Sequence, residues 1–338
     1  MFKILFAPLQ GYTTGIYRKV HAEFIGGVDA YYAPFLRVEN GMVRAKDLRD
    51  LEVDCTAATA ATATKSATDA TSQKATAASV AKTVPQIIAN SVKEFCILAD
   101  ALQEAGFSEI DFNMGCPFPM QVNHHRGAGL LSDTATVAAI MEEIAKRSAK
   151  FSVKMRLGQN DAEEAFALLP ILNAAPLAQI TMHPRLGKQQ YKGALDFASF
   201  RKFYEECKHP LYFNGDLTAV EQICEIERKF PNLAGVMIGR GLLANPFLAK
   251  EYKATTAPHE ATTSSTAQRL SLILKMHAAM MDFACSTYQG DSQILSHLQS
   301  FWEYQEANLP KKVFKRIRKA GSVAEYRDAV ASLVQGDA

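Results

Sequence analysis

A cysteine in a glycine- and proline-rich loop is the first residue of this chain equipped to do chemistry. It stands in Asp111-Phe112-Asn113-Met114-Gly115-Cys116-Pro117, with Val122-Asn123 and Arg126-Gly127-Ala128-Gly129 following. A thiol of ordinary pKa, about 8.5, is mostly protonated near neutrality, so an accessible Cys116 can donate a proton. A small packing residue is the competing reading. In Ser152-Val153-Lys154-Met155-Arg156, Lys154 and Arg156 share strand parity and point one way, Val153 and Met155 the other. Facing inward, Lys154 is a partly buried ammonium that needs an anionic partner; facing outward, it belongs to a cationic rim in water. His183, in Thr181-Met182-His183-Pro184-Arg185, is either catalytic or structural. Asn214-Gly215-Asp216 and Gly239-Arg240-Gly241 can close backbone N–H groups around a phosphate, with Arg240 adding charge. Ordinary tight turns are the alternative.

These residues need elements to aim them. Short β-rich runs occur at 2–7, 28–33, 84–89, 108–113, 150–155, 178–183, 210–213 and 234–238. Their interval is near constant once an Ala/Thr-rich segment at 55–83, a surface insertion or frayed helix, and the Gly/Pro-rich loop after the fourth run are set aside. Amphipathic helical patterns such as 91–106 and 134–148 lie between them. Eight strands alternating with helices predict an α/β fold, a (β/α)₈ TIM barrel, whose chemistry sits where strands end and βα loops begin. Every candidate above falls at such an end. A doubly wound sheet is the second choice, but no G-x-G-x-x-G is present. The predicted organisation is a barrel over 1–253, a small polar linker at 254–267 and an all-α region over 268–338.

Composition sets bounds. The 338 residues are 48% hydrophobic and 21% charged, with a net charge of +2. This describes a globular chain that is not basic throughout, though a local basic patch remains allowed. No run approaches the ~20 apolar residues of a membrane span, and the N-terminus lacks a secretory pattern. Six scattered cysteines with no C-x-x-C signal neither zinc nor a dithiol motif, and fit a reducing cytoplasm. Lys311, Lys312, Lys315, Arg316, Arg318 and Lys319 crowd a nine-residue segment with no acid. Val313, Phe314 and Ile317 would face a helical bundle there, leaving the cations for phosphate contact or simply for water.

Taken in order, the motifs resemble the tRNA-dihydrouridine synthases, FMN-dependent TIM-barrel flavoenzymes that reduce specific uridines in tRNA to 5,6-dihydrouridine. Ala7-Pro8-Leu9-Gln10-Gly11 resembles the family's opening A-P-M-x-G, and Pro85-Gln86-Ile87 its third-strand glutamine. Asp111 to Pro117 resembles D-x-N-x-G-C-P, and Val153 to Arg156 resembles V-K-x-R. His183-Pro184-Arg185 with Gln189, Tyr191 and Gly193 resembles H-x-R…Q-x-Y-x-G. Leu9 replaces the usual Met, Pro184 stands where Gly is common, and the Ala/Thr-rich insertion has no counterpart in the family pattern.

The resemblance implies FMN across the barrel mouth, with Pro8, Leu9, Gln10 and Gln86 bordering the isoalloxazine. It implies Lys154 against N1 and the C2 carbonyl, His183 on the cofactor, and Asn214, Gly215, Asp216, Gly239 and Arg240 around the ribityl phosphate. Asn113 and Arg185 would orient the flipped-out uracil. Cys116 would protonate C5 after hydride reaches C6, and NADPH would visit to reduce the flavin. The partner implied is tRNA, held by the basic helix, with no metal and no stable protein partner. Two other classes compete: an FMN barrel acting on a small molecule, similar to dihydroorotate dehydrogenases, and a non-catalytic RNA-binding factor.

Overall fold

The eight β-rich runs all become strands of one parallel sheet in a computed structural model that describes residues 1–53, 82–256 and 265–335. They are β1 (Lys3–Phe6), β2 (Ala30–Tyr32), β3 (Thr83–Val84 and Gln86–Ile87), β4 (Glu109–Met114), β5 (Lys150–Gly158), β6 (Leu177–Leu186), β7 (Leu211–Asn214) and β8 (Gly235–Ile238). Pro85 has no N–H to give and splits β3 in two. The first half of β3 pairs with β2 and the second with β4, while β1 pairs with β8. The ladder therefore runs round on itself as a closed barrel, which sets aside the doubly wound alternative.

Helices α1 (Gly15–Phe24), α2 (Val92–Glu104), α3 (Thr134–Ala145), α4 (Glu163–Ala174), α5 (Phe197–Glu206) and α6 (Val220–Lys229) follow β1, β3, β4, β5, β6 and β7. Their starts are chemically marked. Ser91, Asp133 and Asp196 each accept a backbone N–H from three residues on, satisfying a donor the helix leaves open. Outward strand residues such as Phe112, Phe151, Val153 and Met155 are fully buried against these helices. Each such side chain contributes about 1.5–3 kcal/mol of transfer free energy. A smaller inner cluster, including Leu5, Tyr32, Val84, Tyr212 and Met237, fills the barrel itself.

After the short α7 (Arg240–Ala244) and α8 (Leu248–Thr256) comes a helical region. It consists of α9 (Thr266–Thr287), α10 (Asp291–Glu303), α11 (Lys311–Lys319) and α12 (Val323–Gln335). Of the expected linker, residues 254–256 complete α8, Thr266 opens α9, and 257–264 lie outside the described residues. The expected Ala/Thr-rich insertion also lies outside them, apart from Lys82 and Thr83, and Thr83 opens β3. No helix among the described residues is long and apolar enough to cross a membrane.

The helical region shares the barrel's core. α9 packs along α1, and Tyr17 lies 6.1 Å from Phe301 between ring centroids. Its centre is polar but satisfied. The buried Tyr326 hydroxyl meets Trp302 Nε1–H at 2.9 Å, His277 Nε2 at 2.7 Å and the Leu298 carbonyl at 3.2 Å. Burial pushes the His277 pKa down to about 3, so the ring is neutral. Tyr326→Phe removes the shared oxygen and strands these partners in an apolar setting. It should lower stability by about 1–3 kcal/mol, seen as an earlier urea midpoint at unchanged slope; an unmoved midpoint would refute the arrangement.

Candidate active site

Register places the candidate residues in rungs. Gln86, Asp111 and Ser152 pair across β3, β4 and β5; Asn113, Lys154 and Thr181 pair one pleat higher across β4, β5 and β6; Arg156 pairs with His183 above them. Parity sends one side of each strand inward, so Asp111 lies beneath Asn113, which lies beneath the cysteine loop. Over these strand ends opens a cavity of about 850 Å³, a volume suited to a cofactor together with a base.

Cys116 stands half-buried on the cavity wall. Its loop is clamped at several points. Asn113 Oδ1 accepts the N–H groups of Gly115 (3.0 Å) and Cys116 (2.9 Å). The Cys116 carbonyl accepts from Ala128 N–H at 3.0 Å. Arg156 Nε donates to the Gly115 carbonyl at 2.9 Å. Gly127 closes the turn at φ +60°, where a Cβ would sit 2.7 Å from the Cys116 carbonyl oxygen. Burial pushes the thiol pKa up, against the opposing pull of the Phe118 backbone, Lys154 and Arg156. The neutral thiol is therefore the form present near pH 7, and the nearby cations would stabilise the thiolate left by proton donation.

Lys154 also lines the cavity, and among the described residues its ammonium has neither a hydrogen bond nor an ion pair. Burial and Arg156 lower its pKa to about 8, partly offset by Asp111 and Cys116. It stays cationic at neutral pH, an unpaired charge that would welcome an anion. Arg156, by contrast, is engaged: its Nη1 also holds the carbonyls of Leu186 (3.1 Å) and Gln190 (2.7 Å). His183 Nδ1 donates to Asn214 Oδ1 at 3.2 Å, and Asn214 Nδ2 donates to the Met237 carbonyl at 2.7 Å. That anchor leaves His183 Nε2 as the acceptor, facing Arg185 Nη1. Burial and the surrounding cations hold His183 far below its usual pKa, hence neutral.

Another part of the cavity wall is built from the two glycine motifs. Gly215, Asp216, Gly239, Arg240 and Gly241 all line it. No side chain caps α7, whose first N–H groups have no partner within the helix. A Cβ at Gly241 would lie 1.9 Å from the Leu217 carbonyl oxygen, so only glycine lets these two loops approach. Asp216 bridges Arg185 and Arg240, which hold its carboxyl below the ordinary range. Arg240 remains partly exposed and lies 4.5 Å over the Tyr191 ring. Open backbone donors, a partly free guanidinium and a glycine cradle suit a phosphate monoester.

Pro8, Leu9, Gln10 and Gln86 also line the cavity, so every residue expected to hold the cofactor borders it, as does Asn113. Arg185 does not. It is 4% exposed, and its guanidinium is spent on Asp216 and the Gly193 carbonyl. In this structure Arg185 holds Asp216, which does line the cavity. The cations of α11 lie away from the cavity lining, and none of the six forms an ion pair among the described residues. Sequence reading missed Tyr12 and Tyr304, which also line the cavity and meet edge to face at 5.1 Å. Tyr304 comes from the helical region, so only the docking of the two regions reveals it. Among the described residues no cluster of His, Cys, Asp and Glu could hold a metal, and the described cysteines are free.

Comparison with known proteins agrees with this geometry. A probable tRNA-dihydrouridine synthase of Rickettsia bellii is 28% identical over 251 residues, covering 73% of this chain and 69% of that protein. The Rickettsia typhi counterpart is 30% identical over 194 residues, 55% of this chain and 59% of that one. A tRNA-dihydrouridine(16) synthase of Aquipseudomonas alcaligenes is 27% identical over 277 residues, 80% of this chain and 82% of that one. Among solved structures, a morphinone reductase variant in complex with tetrahydroNAD aligns with a TM-score of 0.52 at 10% identity, covering 75% of this chain and 86% of that one. The old yellow enzyme of Trypanosoma cruzi aligns at 0.50 and 9%, covering 78% and 89%. At such identities the likeness is one of fold. The model of the family described as dihydrouridine synthase (Dus) matches residues 5–332, across barrel and helical region alike, and the chain belongs to that family.

Proposed function

We propose that this chain is a tRNA-dihydrouridine synthase that holds FMN at the barrel mouth, is reduced by NADPH and converts uridines of tRNA to 5,6-dihydrouridine. One observation carries the reading: Cys116, an ammonium with no ion pair at Lys154, and the two glycine motifs with Arg240 all line one cavity. Asn214, Gly215, Asp216, Gly239 and Arg240 would hold the ribityl phosphate through backbone donors and the Arg240 guanidinium. Pro8, Leu9, Gln10 and Gln86 would border the ring, with His183 against it. Lys154 would balance the charge that the ring carries when reduced. Bound there, FMN would supply the hydride that adds to uracil C6.

The protein's own part is the proton. Hydride addition at C6 leaves carbanion character at C5, conjugated to the C4 carbonyl. Cys116 would give its proton to C5, and Lys154 and Arg156 would stabilise the thiolate. The uridine must leave its stack to reach this depth, at a cost of a few kcal/mol. The unpaired cations of α11 favour a polyanionic substrate over a free small molecule, since phosphate contacts provide affinity and register.

Three outcomes test this. Cys116→Ala should retain flavin absorbance yet lose roughly 10²–10⁴-fold in dihydrouridine formation on tRNA lacking the modification; equal activity would remove Cys116 as the acid. Lys154→Ala should bind reduced FMN about tenfold less tightly relative to oxidised FMN. That corresponds to a midpoint potential about 30 mV more negative for a two-electron couple; an unmoved potential would count against the charge-balancing role. Lys315→Glu with Arg318→Glu should weaken tRNA binding and flatten the slope of log affinity against log salt by roughly one to two. An unchanged slope would place RNA elsewhere.

A further inference from the structure

Asp111 is buried beneath the site, reaches no part of the cavity, and is given no role by the proton transfer above. Ser152 Oγ donates to its Oδ1 at 2.5 Å, and Gln86 Nε2 donates to its Oδ2 at 2.6 Å. Gln86 Oε1 in turn accepts from Asn113 Nδ2 at 2.7 Å. Asn113 Oδ1 accepts the N–H groups of Gly115 and Cys116. Every link is buried or nearly so, and all three donor–acceptor steps run in one direction.

A carboxamide can rotate by half a turn and exchange its donor and acceptor ends. An ionised carboxylate cannot, because it only accepts; burial raises the Asp111 pKa to about 7 against the opposing pull of Gln86, Ser152 and Lys154, so the anchor described is the ionised form present above that pH. We propose that Asp111 is a positioning residue that fixes the polarity of the Gln86 and Asn113 amides and thereby aims Cys116. With the carboxylate beneath it, Gln86 must present Nε2 downward and Oε1 to Asn113. Asn113 must then present Oδ1 to the cysteine loop. Without that anchor Gln86 can reverse, Asn113 follows, and two N–H donors of the loop would meet an NH₂ group. Leaving such donors unpaired favours a reshaped loop. The same carboxylate offsets part of the charge on Lys154, so its effect through hydrogen-bond direction must be told apart from its charge.

This inference assigns Cys116 the role given in the preceding section, but its test reads the thiol directly. In FMN-loaded protein, peptide mass spectrometry would follow iodoacetamide alkylation of Cys116 against the other cysteines. Asp111→Asn can keep Oδ1 towards Gln86 and turn Nδ2 to Ser152, so its Cys116 rate should stay within twofold of wild type. Asp111→Ala should raise that rate at least fivefold and lower kcat for uridine reduction by about 10²-fold, with KM changing far less. A role through charge on Lys154 would move both variants alike, and that result would overturn the proposal, as would an alkylation rate in Asp111→Ala within twofold of wild type. If Asp111→Ala does not fold, Gln86→Glu opposes two carboxylates and should raise the Cys116 rate at least fivefold. Adding Asp111→Asn restores a donor opposite the new carboxylate and should bring it back within twofold; failure of that rescue overturns the proposal. Should wild-type protein yield no dihydrouridine while the alkylation pattern holds, the substrate assignment falls and the relay stands.

Discussion

The structure turns on keeping positive charge at the end of a closed parallel barrel. Lys154 and Arg156 project from β5, Arg185 from β6, and Arg240 from the start of α7, just after β8. Against them stand Asp111 below and Asp216 at the far rim. Removing charges from water is costly unless each finds a partner. Arg156 and Arg185 find theirs in backbone carbonyls and Asp216, whereas Lys154 finds none and Arg240 only part of one. The closed ladder holds these cations at its rim, and Lys154 and Arg240 face the cavity. An anionic ligand with negative charge at both ends would relieve it, which is why the arrangement makes sense as a binding site.

The helical region completes the cavity as well as extending the chain. Tyr12 donates to Glu303 at 2.8 Å, joining the loop after β1 to the end of α10. Gln305 and Asn308 donate to the carbonyls of Leu243 and Ala244, closing the C-terminal end of α7, whose N-terminal end faces the cavity. With Tyr304 on the cavity wall, whatever binds the basic helix α11 acts on a body that shares core, cap and wall with the barrel. A family match running on to residue 332 has a physical counterpart in these contacts.

Much of this was legible in the chain. The eight strands were found from short β-rich runs recurring between helical patterns, and β4 and β5 also alternate polar inward and apolar outward residues. Parity alone placed Lys154 and Arg156 on one side of β5, and a cysteine between glycine and proline announced its loop. What stayed hidden depends on through-space pairing. Arg185 reads as a strand-end cation, and its pairing with Asp216, 31 residues on, is not written in the local pattern. Tyr304 lies beyond the expected linker, so no local pattern ties it to Tyr12. Asp111 was visible as a letter of a motif, yet its function rests on hydrogen-bond direction, which residue types do not encode.

Direction is a theme on both sides of the cavity. On one side a carboxylate sets Gln86 and Asn113; on the other the Met237 carbonyl sets Asn214, which sets the His183 tautomer. In each case an amide that could point either way is tied at its far end to a group that can only accept. Donors and acceptors at the mouth are thus fixed before any ligand arrives, and no reorganisation is needed when charge develops. The device relies on buried amides whose oxygen and nitrogen each find a partner, since a half-satisfied network in a low-dielectric interior costs more than an apolar one. A barrel whose inner rungs alternate apolar and polar residues, with Tyr32 and Val84 below and Gln86 and Asn113 above, supplies that setting by keeping water out beneath while leaving the top open.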